Sequence, residues 1–137
     1  MNNDSLPTVG FIGLGDMGNP MAQNLLNAGY PLWGFDLNAE RLEMIAERGA
    51  LVANSIPDLV ANCDVIATSL PSSSTFVQVA ENELLPNVRT GQIVIDFGTV
   101  SPPETRRIAS RFAAKEVSLL DVPLSGGKSG AQAAQLY

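Results

Sequence analysis

A chain of 137 residues, 45% of them hydrophobic, has the length of one domain and enough apolar content to bury a core. Its formal charge of −6 disfavours a nucleic-acid backbone or an anionic membrane as partner, since both reward a basic face. Histidine is absent and Cys63 is the single cysteine, which excludes a Ser-His-Asp triad, a histidine metal site, a thiolate zinc site and an internal disulfide.

Residues 1–7 read as a polar, mobile lead-in with no charged, apolar and small-residue leader, so a cytoplasmic location is expected. An apolar strand, Val9-Gly10-Phe11-Ile12, then feeds Gly13-Leu14-Gly15-Asp16-Met17-Gly18. A helix is expected from about 16 to 28, with Met17, Met21 and Leu25 on its buried side, Pro20 in its first turn and Gly29 as its stop. The second strand, Leu32-Trp33-Gly34-Phe35, ends at Asp36. This order of strand, glycine turn, helix, strand and acid is what binding a dinucleotide requires. Gly13 makes the tight turn, Gly15 admits a pyrophosphate close to the backbone, Gly18 lets the helix pack on the strand, and Asp36 accepts from the adenosine ribose hydroxyls.

A second helix is expected from a cap at Asn38, with Leu42, Ile45 and Ala46 on one face and Gly49 as its stop. A short strand follows at 51–53, and Ser55-Ile56-Pro57-Asp58 reads as a capping box for a brief helix to about Asn62. Residues 65–70 form a near-continuous apolar strand closed by Pro71-Ser72-Ser73-Ser74, with a helix from about 74 to 83 after it. The fifth strand spans 93–97. Ser101-Pro102-Pro103-Glu104 is the strongest helix start in the chain, and its helix carries Ile108 and Phe112 inward to about Lys115. The sixth strand is 118–122. Strands alternating with helices in this way predict an α/β fold, a doubly wound parallel sheet in three layers, occupying residues 8–137. Arg106, Arg107, Arg111 and Lys115 are expected to form a solvated face, and Cys63 to behave as a small buried hydrophobe.

The stretch 10–22, with Leu70-Pro71, Ile95-Asp96 with Thr99, and Asp121-Val122-Pro123-Leu124-Ser125-Gly126-Gly127, resembles the ordered motifs of the beta-hydroxyacid dehydrogenases. That group contains 3-hydroxyisobutyrate dehydrogenase, tartronate semialdehyde reductase and the 6-phosphogluconate dehydrogenases. The resemblance implies a Rossmann domain whose Gly13, Leu14, Gly15, Asp16, Met17 and Gly18 turn holds the cofactor together with Asp36, Leu37 and Asn38. It also implies that Leu70 and Pro71 line the cofactor groove, that Thr99 meets the nicotinamide ribose, and that Ser125, Gly126 and Gly127 hold a substrate carboxylate. Asp36 and the absence of a phosphate clamp at Leu37 and Asn38 favour NAD; Arg41, one helical turn on, leaves NADP as the lesser expectation.

The implied reaction is hydride transfer between a nicotinamide cofactor and a short 3-hydroxy acid or its semialdehyde, by a full-length homo-oligomer. In the resembled family a lysine in a Gly-x-x-Lys-x-x-Asn setting on a long helix handles the proton. Here Lys115 and Lys128 are the only lysines and neither has that setting. The sequence is therefore read as the nucleotide-binding portion of such an enzyme, lacking the helical domain, with no catalytic residue assigned. A non-catalytic dinucleotide-binding module or sensor is the alternative, and an imine reductase fragment fits residues 121–127 less well.

Overall fold

The computed structural model describes residues 5–98, 100–122 and 127–132, the last run without the side chains of 127–129. Six strands, β1 (Val9–Ile12), β2 (Leu32–Phe35), β3 (Leu51–Val52), β4 (Val65–Thr68), β5 (Ile93–Asp96) and β6 (Ser118–Asp121), form one parallel sheet in the order β3-β2-β1-β4-β5-β6. The connecting helices are α1 (Gly18–Asn27), α2 (Ala39–Glu47), α3 (Ile56–Asn62), α4 (Ser73–Val79), which runs into a π-helical turn at Ala80–Leu84, and α5 (Pro102–Ala113); α6 (Gly127–Gln132) follows β6.

Successive strand residues point to opposite faces, so each strand supplies both cores. Ile12, Ile66 and Val94 face Leu59 of α3, Phe76 of α4, and Ile108 and Phe112 of α5. Phe11 and Ala67 face Ala22 of α1 and Ile45 of α2. Two helical layers therefore sandwich the sheet. β1 and β4 are adjacent although two strands and three helices separate them in sequence. The crossovers run to one side from β1 and to the other from β4, which leaves a crevice at the carboxyl ends of these two strands.

Local chemistry fixes most helix starts. Asn38 accepts from the amides of Glu40 and Arg41 at 2.9 and 3.3 Å, Ser55 from Asp58 at 3.1 Å, and Ser72 from Thr75 at 3.2 Å. Asp58 reaches back to the amide of Asn54 at 3.0 Å rather than to that of the cap itself, so the box closes one residue early.

Several expectations are corrected. Helix α1 begins at Gly18, not near 16, because residues 13–17 are spent on the turn. Ala46 is exposed, so Ile45 with the half-buried Leu42 makes the inner face of α2. Ser101 makes no side-chain cap bond, and Glu104, expected to close its box, pairs instead with Arg107 at 2.8 Å. The basic face of α5 is not merely solvated: Arg107 lies 2.7 Å and Arg111 3.7 Å from Glu81 on the π turn, and Lys115 donates to the Leu85 carbonyl.

Candidate cofactor site

The glycine turn sits at the carboxyl end of β1, where its residues have separate duties. Gly13 has φ +94°, and a Cβ there would fall 2.2 Å from the Ser69 carbonyl oxygen in the loop after β4. A Cβ on Gly18 would fall 1.9 Å from the Gly13 carbonyl, so only glycine lets α1 start so close to the turn. Gly15 differs. A Cβ on it would meet nothing nearer than the Arg41 guanidinium at 3.8 Å, so the fold itself does not demand glycine there. The absence of a side chain leaves the backbone open toward the crevice. No side chain caps α1, whose positive dipole end lies at this turn; within its first turn the Asn19 and Met21 amides already donate to the Gly15 and Met17 carbonyls at 3.0 and 3.3 Å, and Pro20 has none.

Asp36 ends β2 beside this turn with a side chain only 9% exposed. One carboxylate oxygen accepts the Leu14 amide at 2.8 Å and lies 3.7 Å from Arg41; the other accepts the Asn38 amide at 2.8 Å. The acid therefore shapes both the glycine turn and the start of α2, and each oxygen keeps a lone pair for a hydroxyl donor. Asn38 stands next to it, although its side-chain oxygen is engaged as the α2 cap, and Leu37 projects into solvent at 96% exposure.

A groove of about 970 Å³ runs from Gly13, Gly15, Asp16 and Met17 past Asp36 and Leu37. Its far wall is Leu70 and Pro71 after β4 with Thr75, Val79 and Glu83 beyond, and Asn54, Ser55 and Ile56 close the outer end. These last six residues were not anticipated from sequence; the fourfold spacing of Thr75, Val79 and Glu83 is the one signal that could have found three of them. Thr99, Ser125 and Gly126 lie outside the described residues. Gly127 opens α6, which Asn24 of α1 anchors through a 2.6 Å bond to the Ala131 carbonyl.

At the carboxyl end of β5 Thr68 donates to one oxygen of Asp96 at 2.8 Å and the Gly98 amide to the same oxygen at 3.2 Å. The other oxygen is buried without a partner among the described residues, and the residue is 2% exposed. Burial pushes this carboxyl above its ordinary range, against the two hydrogen bonds that stabilise its anion, and Asp121 beside it on β6 adds to the rise. An acid raised by folding binds its proton more tightly in the native state, so its stability contribution is greatest below the unfolded pKa and falls as pH climbs toward the folded one. Asp96→Asn should therefore stabilise the chain at pH 7 by on the order of 1 kcal/mol, with the gain vanishing in acid. Urea titrations at pH 7 and pH 4 check this; equal stability of both proteins at pH 7 would discount the strain. Cys63, pushed up to about 12 chiefly by burial, stays a protonated thiol at neutral pH, as expected of a packed hydrophobe.

Residues 8–137 match the NAD binding domain of 6-phosphogluconate dehydrogenase. The chain belongs to that family. It is 38% identical over 130 residues to the mitochondrial 3-hydroxyisobutyrate dehydrogenase of Rattus norvegicus, an alignment covering 93% of this chain and 39% of the relative. The fold matches Mycobacterium tuberculosis 3-hydroxyisobutyrate dehydrogenase with L-serine at a TM-score of 0.89 and 36% identity, over 96% of this chain and 45% of that one. It matches Psf3 in complex with NADP+ and 2-OPP at the same TM-score and 29% identity, over 93% of this chain and 46% of that one. The chain thus spans about two-fifths of the curated relatives' length. It is an NAD(P)-binding domain of the hydroxyacid dehydrogenase kind, with the Rossmann architecture expected from its sequence. Among the described residues no helix is long and apolar enough to cross a membrane.

Proposed function

We propose that this chain is the cofactor-holding portion of an oxidoreductase that moves a hydride between NAD and a short 3-hydroxy acid or its semialdehyde, and that alone it binds cofactor without turnover. The open backbone at Gly15, between two glycines that the fold requires, is the observation that carries the binding reading. The pyrophosphate lies on the Gly13–Gly18 turn, facing its backbone amides and the α1 dipole. The adenosine ribose donates its hydroxyls to Asp36 beside Leu37 and Asn38, and the chain of the dinucleotide continues along Leu70 and Pro71. Thr99 meets the nicotinamide ribose, while Ser125, Gly126 and Gly127 grip the substrate carboxylate through hydroxyl and backbone donors. Bound NAD supplies the hydride acceptor that no side chain can supply. The site for the hydroxy acid is completed by a helical, homo-oligomer-forming domain, and the whole works in the cytoplasm.

NAD is preferred over NADP because Asp36 meets a hydroxyl in one and a phosphate dianion in the other. Arg41 moderates that preference from 3.7 Å. Calorimetric titration should give a Kd for NADH about tenfold below that for NADPH, corresponding to roughly 1.4 kcal/mol. Arg41→Ala should widen the gap by weakening NADPH further. Tighter binding of NADPH by the wild-type chain would overturn the assignment of Asp36 to the ribose.

A further inference from the structure

The π-helical turn at Ala80–Leu84 has a local cause and a consequence for the groove. Its i→i+5 bond runs from the Leu85 amide to the Ala80 carbonyl at 2.8 Å. Ala80, Leu84 and Leu85 are all buried, and the wider turn brings the adjacent leucines into one core together. In a regular α-helix, residues four apart drift around the axis by roughly 40° per step, so a third residue in the series Thr75, Val79, Glu83 would swing away from the groove. A slower-winding π turn takes back most of that drift. Glu83 is thereby kept on the groove-lining face with Thr75 and Val79. Glu81, on the same turn, is directed away and paired with Arg107 and Arg111. The Glu83 carboxylate is half-buried and has neither ion pair nor hydrogen bond among the described residues, while its backbone carbonyl accepts from Asn87 at 2.8 Å.

The π turn packs against α3, which follows β3 on the β2 side of the sheet, so this acid lines the groove at its Asp36 end. On the dinucleotide reading above, on which this inference rests, that end receives the base attached to the ribose that Asp36 holds. The surroundings suit a flat heterocycle: Val79, Ile56 and Leu70 offer apolar contact, and one carboxylate offers acceptors only. At position 6 adenine presents an exocyclic amino donor and the 6-oxo purines a carbonyl acceptor, with the ring proton on the neighbouring N1.

We propose that Glu83 reads the base of the dinucleotide, accepting a hydrogen bond from the 6-amino group of adenine and rejecting a 6-oxo base. Held opposite position 6, a carboxylate is repelled by a carbonyl oxygen and reaches the N1 proton of a 6-oxo base only by shifting, whereas it makes a charge-assisted hydrogen bond to an amino group. Glutamine in its place turns its amide to suit either base. The residue determines specificity and takes no part in hydride transfer.

The test compares NADH with reduced nicotinamide hypoxanthine dinucleotide, which carries oxygen for the 6-amino group and a proton on N1, by calorimetry on the 137-residue chain. Wild type should bind NADH about tenfold more tightly than the analogue. Glu83→Gln should bring the two within about twofold, and Glu81→Gln, altered on the same turn but outside the groove, should keep the wild-type gap. Equal affinities in wild type, or an undiminished gap in Glu83→Gln, would overturn the role of Glu83 while leaving the cofactor groove standing. Failure of wild type to bind either dinucleotide would overturn both.

Discussion

Replacing Gly15 by leucine should leave the chain folded and abolish its binding of NADH. A Cβ at this position has van der Waals room, and the residue is not held at positive φ, so the native backbone accepts the side chain. The melting temperature should move by no more than a couple of degrees, as for a substitution away from core and caps. The leucine side chain, however, fills the volume through which a pyrophosphate reaches the backbone amides. Loss of two charge-assisted hydrogen bonds to those amides, each worth roughly 1.5–3 kcal/mol, raises Kd by about 100-fold or more. Gly13→Ala supplies the contrast: its Cβ would lie 2.2 Å from a backbone oxygen at φ +94°, and the variant should lose several kcal/mol of stability. Thermal melts and NADH calorimetry on both variants separate the two effects. A leucine variant that binds NADH like wild type would remove Gly15 from the site.

The parallel sheet and the succession of its strands and helices were legible because each strand is a short apolar run and each crossover is punctuated locally. Gly29 and Gly49 stop their helices with φ of +94° and +109°, and Asn38, Ser55 and Ser72 start theirs with bonds that span three residues or fewer. The expected strand at 65–70 ends in fact at Thr68, level with the end of β1: the Ser69 amide makes the last ladder bond, to the Ile12 carbonyl at 2.9 Å, and beyond it β1 has turned away at Gly13. What sequence reading missed depends on partners far along the chain. Ser101 had every local qualification as a cap, yet Glu104 is drawn to Arg107, which in turn meets Glu81 across 26 positions. The π turn was hidden for a related reason. Five residues carry too little periodicity to distinguish a winding of i→i+5 from i→i+4, and the burial of Leu84 and Leu85 that selects it is a tertiary fact. Asp36 was legible as an acid after β2, but its two backbone acceptor bonds, to residues 22 positions back and two ahead, were not.

The 137-residue chain by itself should show no measurable dehydrogenase turnover, even when saturated with NAD. Hydride transfer from an alcohol requires a group placed to take the hydroxyl proton, and such assistance is worth roughly 10²–10⁴-fold. No histidine is available, and Lys115 is held at the end of α5 against the Leu85 carbonyl, on the helical layer that packs beneath β5. Asp96 ends β5, and its carboxyl is buried and already bonded to Thr68 and Gly98. Lys128, adjacent in sequence to the proposed carboxylate turn, is the remaining lysine of the chain. Orientation of two reactants in a closed site contributes a further large factor, and an open rim provides little of it. The purified chain should therefore be inert with NAD and 3-hydroxyisobutyrate, and with NADH and tartronate semialdehyde, at protein concentrations where NADH binding is saturated. A longer product of the same gene carrying a lysine in the family's setting should turn over both substrate pairs. Turnover by the short chain that disappears in Lys128→Ala would make it a compact enzyme with its own proton carrier, and the division of labour between a cofactor domain and a separate helical domain would not hold for this protein.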